Sequence, residues 1–207
     1  MQEQLIQRLL TIEGIFGAGV PWWVVVGLRN RFRLRAFIES GTGYGDSALI
    51  ASQLFAEVQT IEIDPAIFEH QREELKAQPN VRRILGSGAV EIPRLCEQFT
   101  IDTPLMFFLD GHWSGAGVRY EVECPLLAEL DAVLSRRARG AKDAVLIDNW
   151  GMFTAPPDPP HRPEQWPTAK DVLQKIAASS YVVTQIADVL CLTPAAFLGV
   201  ASERPVR

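Results

Sequence analysis

The sequence predicts an α/β protein on a Rossmann-like, doubly wound sheet, mostly parallel, with seven strands of which the last is antiparallel. Three observations carry this expectation. From Ala36 onward, short apolar runs alternate with helix-period segments, the pattern of β-α units joined by right-handed crossovers. After the first run, three glycines fall at alternate positions in Glu39-Ser40-Gly41-Thr42-Gly43-Tyr44-Gly45-Asp46-Ser47. Such a turn lets a small polar ligand approach the main chain at a helix N-terminus, where free N–H groups favour an anionic moiety. Finally, Leu105-Met106-Phe107-Phe108-Leu109 is unbroken apolar sequence ending at Asp110, as expected of a central strand buried on both faces.

The 207 residues suffice for one domain over 1–207, and no shift in composition divides them. With 47% hydrophobic and 22% charged residues, the chain reads as an ordinary soluble protein. Its net charge of −5 argues against nucleic acid or an anionic membrane as partner. Cys96, Cys124 and Cys191 are odd in number and lack metal-finger spacing, so they suit packed interiors in a reducing compartment. Val20 to Leu28 is too short to span a bilayer and is followed by Arg29, Arg31, Arg33 and Arg35. This is not the order of a secretory signal. The expectation is a cytoplasmic protein.

Residues 1–30 read as an N-terminal helical extension. Leu5, Ile6, Leu9 and Leu10 share one side at helical spacing, to pack on the body or on a second copy in a homodimer. Gly14, Gly17, Gly19 and Pro21 then interrupt it. The alternating arginines at 29–35 read as a solvated face. Ala36–Glu39 is the first strand and Asp46–Phe55 the helix after it; Val58–Ile63 is the second strand. Asp64-Pro65 starts a helix, with Asp as N-cap and Pro at the first position, which runs through Lys76. Val81–Leu85, Leu105–Leu109 and Ala144–Ile147 are further strands. Helices are expected at Val90–Gln98 and Cys124–Arg137, the second with Leu126, Leu127, Leu130 and Leu134 inward and Arg136, Arg137 and Arg139 near its negative end. Residues 151–165 are proline-dense, too rigid for a helix, and of a length that marks functional or mobile loops. Trp166–Ala178 is a helix, and Tyr181–Ile186 and Val189–Leu192 are closing strands.

Ligands of such sheets bind at the carboxyl ends of the strands. That rule singles out Glu39, Glu62, Ser87, Asp110, Asp148 and Asn149. The glycine turn alone is weak evidence, because a nicotinamide-type fingerprint needs GxGxxG and position 46 here is Asp. Glu62 adds weight: a carboxylate ending the second strand can accept hydrogen bonds from both hydroxyls of an adenosine ribose.

Together, ESGTGYGDS, TIEID and the strand-end Asp110 resemble a class I S-adenosylmethionine-dependent methyltransferase over residues 36–150, and within that class the catechol O-methyltransferase group. The resemblance implies cofactor contacts from Glu39, Gly41, Gly43, Gly45, Ser47, Glu62, Ile63, Ser87, Gly88 and Asp110. It implies that the turn Gly86-Ser87-Gly88 lies along the adenine. It also implies oxygen ligands for Mg²⁺ at Asp110, Asp148 and Asn149. The group carries a lysine base shortly after the strand-four Asp. Here the segment is Asp110-Gly111-His112-Trp113-Ser114, with an extra glycine and a serine where the lysine would fall, so catechol and its base do not carry over.

On this reading the reaction is methyl transfer (EC 2.1.1.-) to a small-molecule acceptor, an O-methylation with Mg²⁺ assistance as one version. His112 and Asp110 are the candidate catalytic residues, His112 because an imidazole titrates near working pH. Its alternative is a loop histidine bonded to the backbone or stacked on the adenine. Trp113, Trp150, Phe153 and Trp166 either wall an acceptor pocket or pack; His161 sits in the proline-rich loop that could close over the site, and His70 has no chemical role. Two other readings stay open: a nicotinamide-dependent oxidoreductase, and a non-catalytic or sensor protein of the same fold. N- or carbon-methylation also remains open.

Overall fold

Five short stretches become parallel strands, three of them (Ala36–Ser40, Leu105–Leu109 and Ala144–Ile147) buried on both faces, and each is followed by a helix that returns the chain. A computed structural model describes residues 19–115 and 121–195; the expected helix at 2–16 lies outside the described residues. In chain order the elements are α1 (Trp22–Phe32), β1 (Ala36–Ser40), α2 (Asp46–Leu54), β2 (Glu57–Glu62), α3 (Pro65–Glu69), α4 (Glu73–Lys76), β3 (Val81–Leu85), α5 (Gly88–Gln98), β4 (Leu105–Leu109), α6 (Leu126–Ala138), β5 (Ala144–Ile147), α7 (Gly151–Thr154), α8 (Ala169–Ala177), β6 (Tyr181–Ile186) and β7 (Val189–Pro194). The sheet order is β3-β2-β1-β4-β5-β7-β6. Strands β1 to β5 pair in parallel, and β7 runs antiparallel to both β5 and β6.

One layer of core gathers α5, α6 and α8 against the sheet, with Ile38, Phe107, Leu130 and Ile176 buried. The opposite layer gathers α1, α2 and Leu75, with Trp22, Phe37, Ala48 and Phe108 buried. Phe37 meets Phe55, Trp22 and Phe108 with ring centroids 5.5, 6.1 and 6.4 Å away. Burial of each such ring contributes about 1.5–3 kcal/mol. Helix α1 is therefore core rather than an extension: Trp22, Val25 and Leu28 are buried. Of the arginines that follow, Arg31, Arg33 and Arg35 are exposed and Arg29 is half-buried.

Several expected boundaries shift for local reasons. The helix from Pro65 breaks at His70 and resumes as α4 at Glu73. Helix α5 begins at Gly88, two residues early. The proline-rich segment does contain a helical turn, α7, because its prolines begin only at Pro156. Helix α8 starts at Ala169, where Thr168 and Asp171 form a reciprocal capping box. Trp166 sits before it, in the core.

Arg136 does not stay near the solvated end of α6. It is fully buried, pairs with Asp143 through Nε–Oδ2 at 2.9 Å, and donates to the carbonyls of Cys96, Phe99, Thr100 and Thr103. Asp143 in turn accepts from the Leu105 amide at 2.8 Å. One guanidinium thus ties the end of α5 to the start of β4. Arg136→Ala leaves Asp143 buried and unpaired and should cost about 3–5 kcal/mol in urea unfolding. The double change Arg136→Met with Asp143→Leu should cost far less, because it removes both charges.

Candidate ligand-binding site

The strands next to the crossover end level with one another. Ser40 stands opposite Ile61 on one side and Leu109 on the other. The ladder then continues one residue into the loops. Gly41 N–H donates to Ile61 O at 2.9 Å, Asp110 N–H to Ser40 O at 3.0 Å, Gly86 N–H to Glu62 O at 2.8 Å and Asp148 N–H to Leu109 O at 3.1 Å. These bonds set the four loop starts in one row. Above the row opens a cavity of about 350 Å³, lined among others by Gly41, Gly43, Glu62, Ser87, Asp110 and His112. A larger groove of about 690 Å³ lies around Arg33, Arg35, Pro104 and Lys142, at the opposite ends of the strands, where this fold does not place ligands.

The glycine turn is dictated sterically. Gly41 has φ +87°, and a Cβ there would stand 2.1 Å from the carbonyl oxygen of Asp110; no side chain fits. Gly43 turns its N–H onto Glu62 Oε2 at 2.8 Å, while Glu62 Oε1 accepts the Asp64 amide at 2.8 Å. Asp64 itself caps α3, accepting from Ala66 and Ile67, so Glu62 is not the cap. Burial raises the Glu62 pKa, and the bonds from Asp64, Gly43 and Ile63 oppose the rise. Gly43, Ile63, Ser87 and Gly88 border the same cavity.

Glu39, Gly45 and Ser47 lie elsewhere: none of them lines the cavity. Glu39 is fully buried beneath the turn, where Ser47 Oγ and Thr60 Oγ1 donate to its two oxygens. Burial pushes its pKa up to about 7, against those two bonds. Gly45 is the left-handed residue ahead of α2, packed on Leu75.

Asp110, Asp148 and Asn149 do converge. Asn149 Nδ2 donates to Asp110 Oδ1 at 3.3 Å and to Asp148 Oδ2 at 3.1 Å. Burial, then the neighbouring Asp148 charge, raises the Asp110 pKa well above the usual carboxylate range; burial brings Asp148 to about 6. Asp110 and Asn149 line the cavity, whereas Asp148 sits behind them. Among the described residues no three His, Cys, Asp or Glu side chains gather in metal-binding arrangement.

His112 places Nδ1 3.6 Å from Asp110 Oδ1 and its ring edge-on to Trp166, centroids 5.2 Å apart. Burial, then the nearby His161, lowers its pKa to about 4. It is therefore a neutral imidazole at pH 7 and a weak base. Trp113 lines the cavity, but Trp150, Phe153 and Trp166 belong to the core beneath it. His70 is exposed, with Nδ1 at 2.7 Å from Ala66 O.

Three residues that the sequence reading passed over shape this site. Glu123, buried, accepts from the Arg162 amide at 2.9 Å and Trp166 Nε1 at 3.0 Å, and His161 Nδ1 lies 3.6 Å away. It thereby fastens the proline-rich segment to the cavity mouth. Ser40 is part of the floor and Glu129 lies beneath it; a Cβ on Gly88 would stand 2.0 Å from Glu129 Oε1. The signal for Glu129 was its helical spacing with Leu126, Val133 and Arg136, which together form the buried face of α6. The expected stripe through Leu127 and Leu134 was rotated from it, and both leucines are half-buried.

No protein-family model matches the chain, and no curated protein is similar to it in sequence. Solved structures are similar to it in fold. An S-adenosylhomocysteine-bound methyltransferase of Podospora anserina is 16% identical with a TM-score of 0.58, covering 94% of this chain and 88% of its own. The O-methyltransferase TomG of Streptomyces achromogenes, involved in tomaymycin synthesis and solved with S-adenosylmethionine, is also 16% identical at a TM-score of 0.58, covering 93% and 88%. An rRNA methylase of Streptococcus thermophilus is 12% identical at 0.52, covering 84% and 96%. This chain has the class I methyltransferase fold.

Glu39 gives a pH test of the buried acids. Its pKa is raised in the folded state, so its stabilising contribution is complete below an ordinary 4.5 and is lost as pH rises through about 7. Wild type should therefore lose stability from pH 5 to pH 8, with Glu39 accounting for about 3 kcal/mol of it. Glu39→Gln should flatten that decline in urea titrations across the range.

Proposed function

We propose that this chain binds S-adenosylmethionine at the strand ends and transfers its methyl group to a small-molecule acceptor, most directly a hydroxyl. The observation that carries the reading is the Glu62 carboxylate inside the cavity, bonded to the Gly43 amide. Its oxygens accept backbone N–H groups of Gly43, Asp64 and Ile63 and keep acceptor capacity beyond them, which suits a ribose hydroxyl.

Charge favours this ligand over a dinucleotide. Glu62, Asp64, Asp110 and Glu123 line the cavity, and among the described residues no lysine or arginine does. A pyrophosphate would meet repulsion there, whereas a sulfonium and an ammonium would meet attraction. The same acidic wall disfavours a phosphodiester acceptor, so a small molecule fits better than RNA.

The bound donor supplies an electrophilic methyl group on a positively charged sulfur. The chain's part is chiefly to bind and align, and alignment is worth up to about 7–11 kcal/mol of the barrier. Gly41 and Gly43, which line the cavity, would approach the donor's amino-acid end, and Glu62 would take the sugar. An acceptor hydroxyl must also lose a proton. The weakly basic His112 is poorly suited to do this alone, which favours a cation that acidifies the hydroxyl. Asp110 and Asp148 would hold Mg²⁺, with Asn149 joining through its amide oxygen once the amide that now donates to both carboxylates turns over; the cation would relieve the repulsion between the two acids.

Calorimetric titration tests the donor site. S-adenosylmethionine and S-adenosylhomocysteine should bind wild type, and Glu62→Ala should weaken both by about 10- to 100-fold. Wild-type failure to bind either, or binding of NADH in their place, would overturn the reading. For the cation, Mn²⁺ in place of Mg²⁺ should give a bound paramagnetic resonance signal that Asp148→Asn abolishes.

A further inference from the structure

Beside the donor cavity lies a groove of about 620 Å³, and the two share Ser114 and Met152 in their walls. The groove is otherwise mostly apolar, walled by Ala155, Pro156, Pro157, Pro159 and Pro160. Asp158 and His161 add polar groups, and among the described residues no lysine or arginine lines it. His161 is held at this wall from several directions. Its backbone N–H donates to Asp158 O at 3.1 Å, and the next amide, that of Arg162, donates to Glu123 Oε2 at 2.9 Å. The ring lies edge-on to both Trp113 and Trp166, with centroids 5.1 Å from each. Nδ1 has no hydrogen-bond partner among the described residues, and Oε2 of the buried Glu123 is 3.6 Å from it. Nε2 stands 3.7 Å from the place of a Cβ on Gly115, a residue that lines the same groove.

We propose that this groove holds the methyl acceptor, a neutral phenol, and that His161 is the catalytic base for its hydroxyl, with Glu123 as the positioning residue behind the ring. The inference rests on the methyl-donor reading and adds the acceptor class and the base that reading lacks. Proline rings and a thioether pack against a flat apolar body, and walls without a cation offer nothing to a carboxylate or a phosphate. The choice of base narrows the class further. A phenolic hydroxyl ordinarily titrates near about 10 and is far better matched to an imidazole than an aliphatic alcohol is. In the reaction, Nε2 accepts the phenolic proton while an oxygen lone pair forms the bond to the donor's methyl carbon. The carbon–sulfur bond breaks, its electron pair stays on sulfur, and the imidazolium gives its proton to solvent. Glu123 accepts from Nδ1–H once the ring closes on it, since such bonds are often long before the substrate arrives. The other titratable or charged groups about the ring are His112, from the loop after β4, and Arg162, whose Nε lies 4.0 Å from the second Glu123 oxygen.

Calorimetry on the complex with S-adenosylhomocysteine reads the groove without turnover. 2-Naphthol should bind that complex, and 6-hydroxy-2-naphthoate, which adds a carboxylate, should bind about tenfold more weakly or worse. Ala155→Trp, which fills the groove, should abolish naphthol binding and leave S-adenosylhomocysteine affinity unchanged. Rates then test the base. Relative to wild type, His161→Gln should lower methylation of 2-naphthol by about 100-fold or more. It should change little with 4-nitrophenol near pH 8, where the acceptor arrives already ionised. A merely structural defect slows both acceptors alike, and that result overturns the role of His161. If the variant does not fold, Glu123→Gln, which keeps an acceptor for Trp166 and Arg162, should lose about tenfold with 2-naphthol alone, and equal loss on both acceptors overturns the proposal there. No binding of 2-naphthol, or binding without methylation when donor and Mg²⁺ are supplied, overturns it while leaving the donor site intact. Failure to bind S-adenosylhomocysteine removes both.

Discussion

The pairing of β1 in register with both β2 and β4 is the constraint from which the site follows. Because Ser40 is level with Ile61 and Leu109, the three chains leave the sheet together and their next amides keep hydrogen bonding across the gap. A slip of one residue would turn every side chain to the other face of the sheet. Glu39 would then face α6 and Ser40 would face α2. The glycine turn would also lose its contact with Asp110 O, where only a hydrogen in place of Cβ allows the approach.

Electrostatics give the site its character. Acids occupy the end of β2, the end of β4, the start of the loop after β5 and both faces beneath β1. Burial raises their pKa values in every resolved case, with mutual repulsion adding at Asp110. Burial thus makes their charged forms costly, a strain that a functional site can retain. A cationic ligand reverses the sign of that strain. Specificity for charge thus comes from what surrounds the cavity as much as from what touches the ligand.

The segment between Gly151 and Trp166 shows how an irregular stretch is held in place without regular structure. Its prolines remove backbone donors, and the segment is fastened largely through one buried carboxylate, Glu123, which meets the Arg162 amide and the Trp166 indole together. The Glu123 amide N–H in turn donates to Gln165 Oε1 at 2.9 Å. His161 is carried to the cavity mouth beside Trp113, ring centroids 5.1 Å apart.

The sequence by itself determined the sheet, because alternation of apolar runs and helix-period segments is a local pattern, and β3, β4 and β5 fall on the expected residues. It also determined the glycine turn and the Asp64-Pro65 helix start, each set by the backbone preferences of two or three residues. Tertiary structure decided the rest. Whether Glu39 touches ligand or supports Ser47 depends on which face of β1 it occupies. Whether Arg136 is solvated depends on carbonyls some forty residues away, and Glu129 became a floor residue only when α6 met Gly88 and Gly111. Buried polar residues look like surface residues in a sequence, since what makes burial tolerable is a partner distant along the chain.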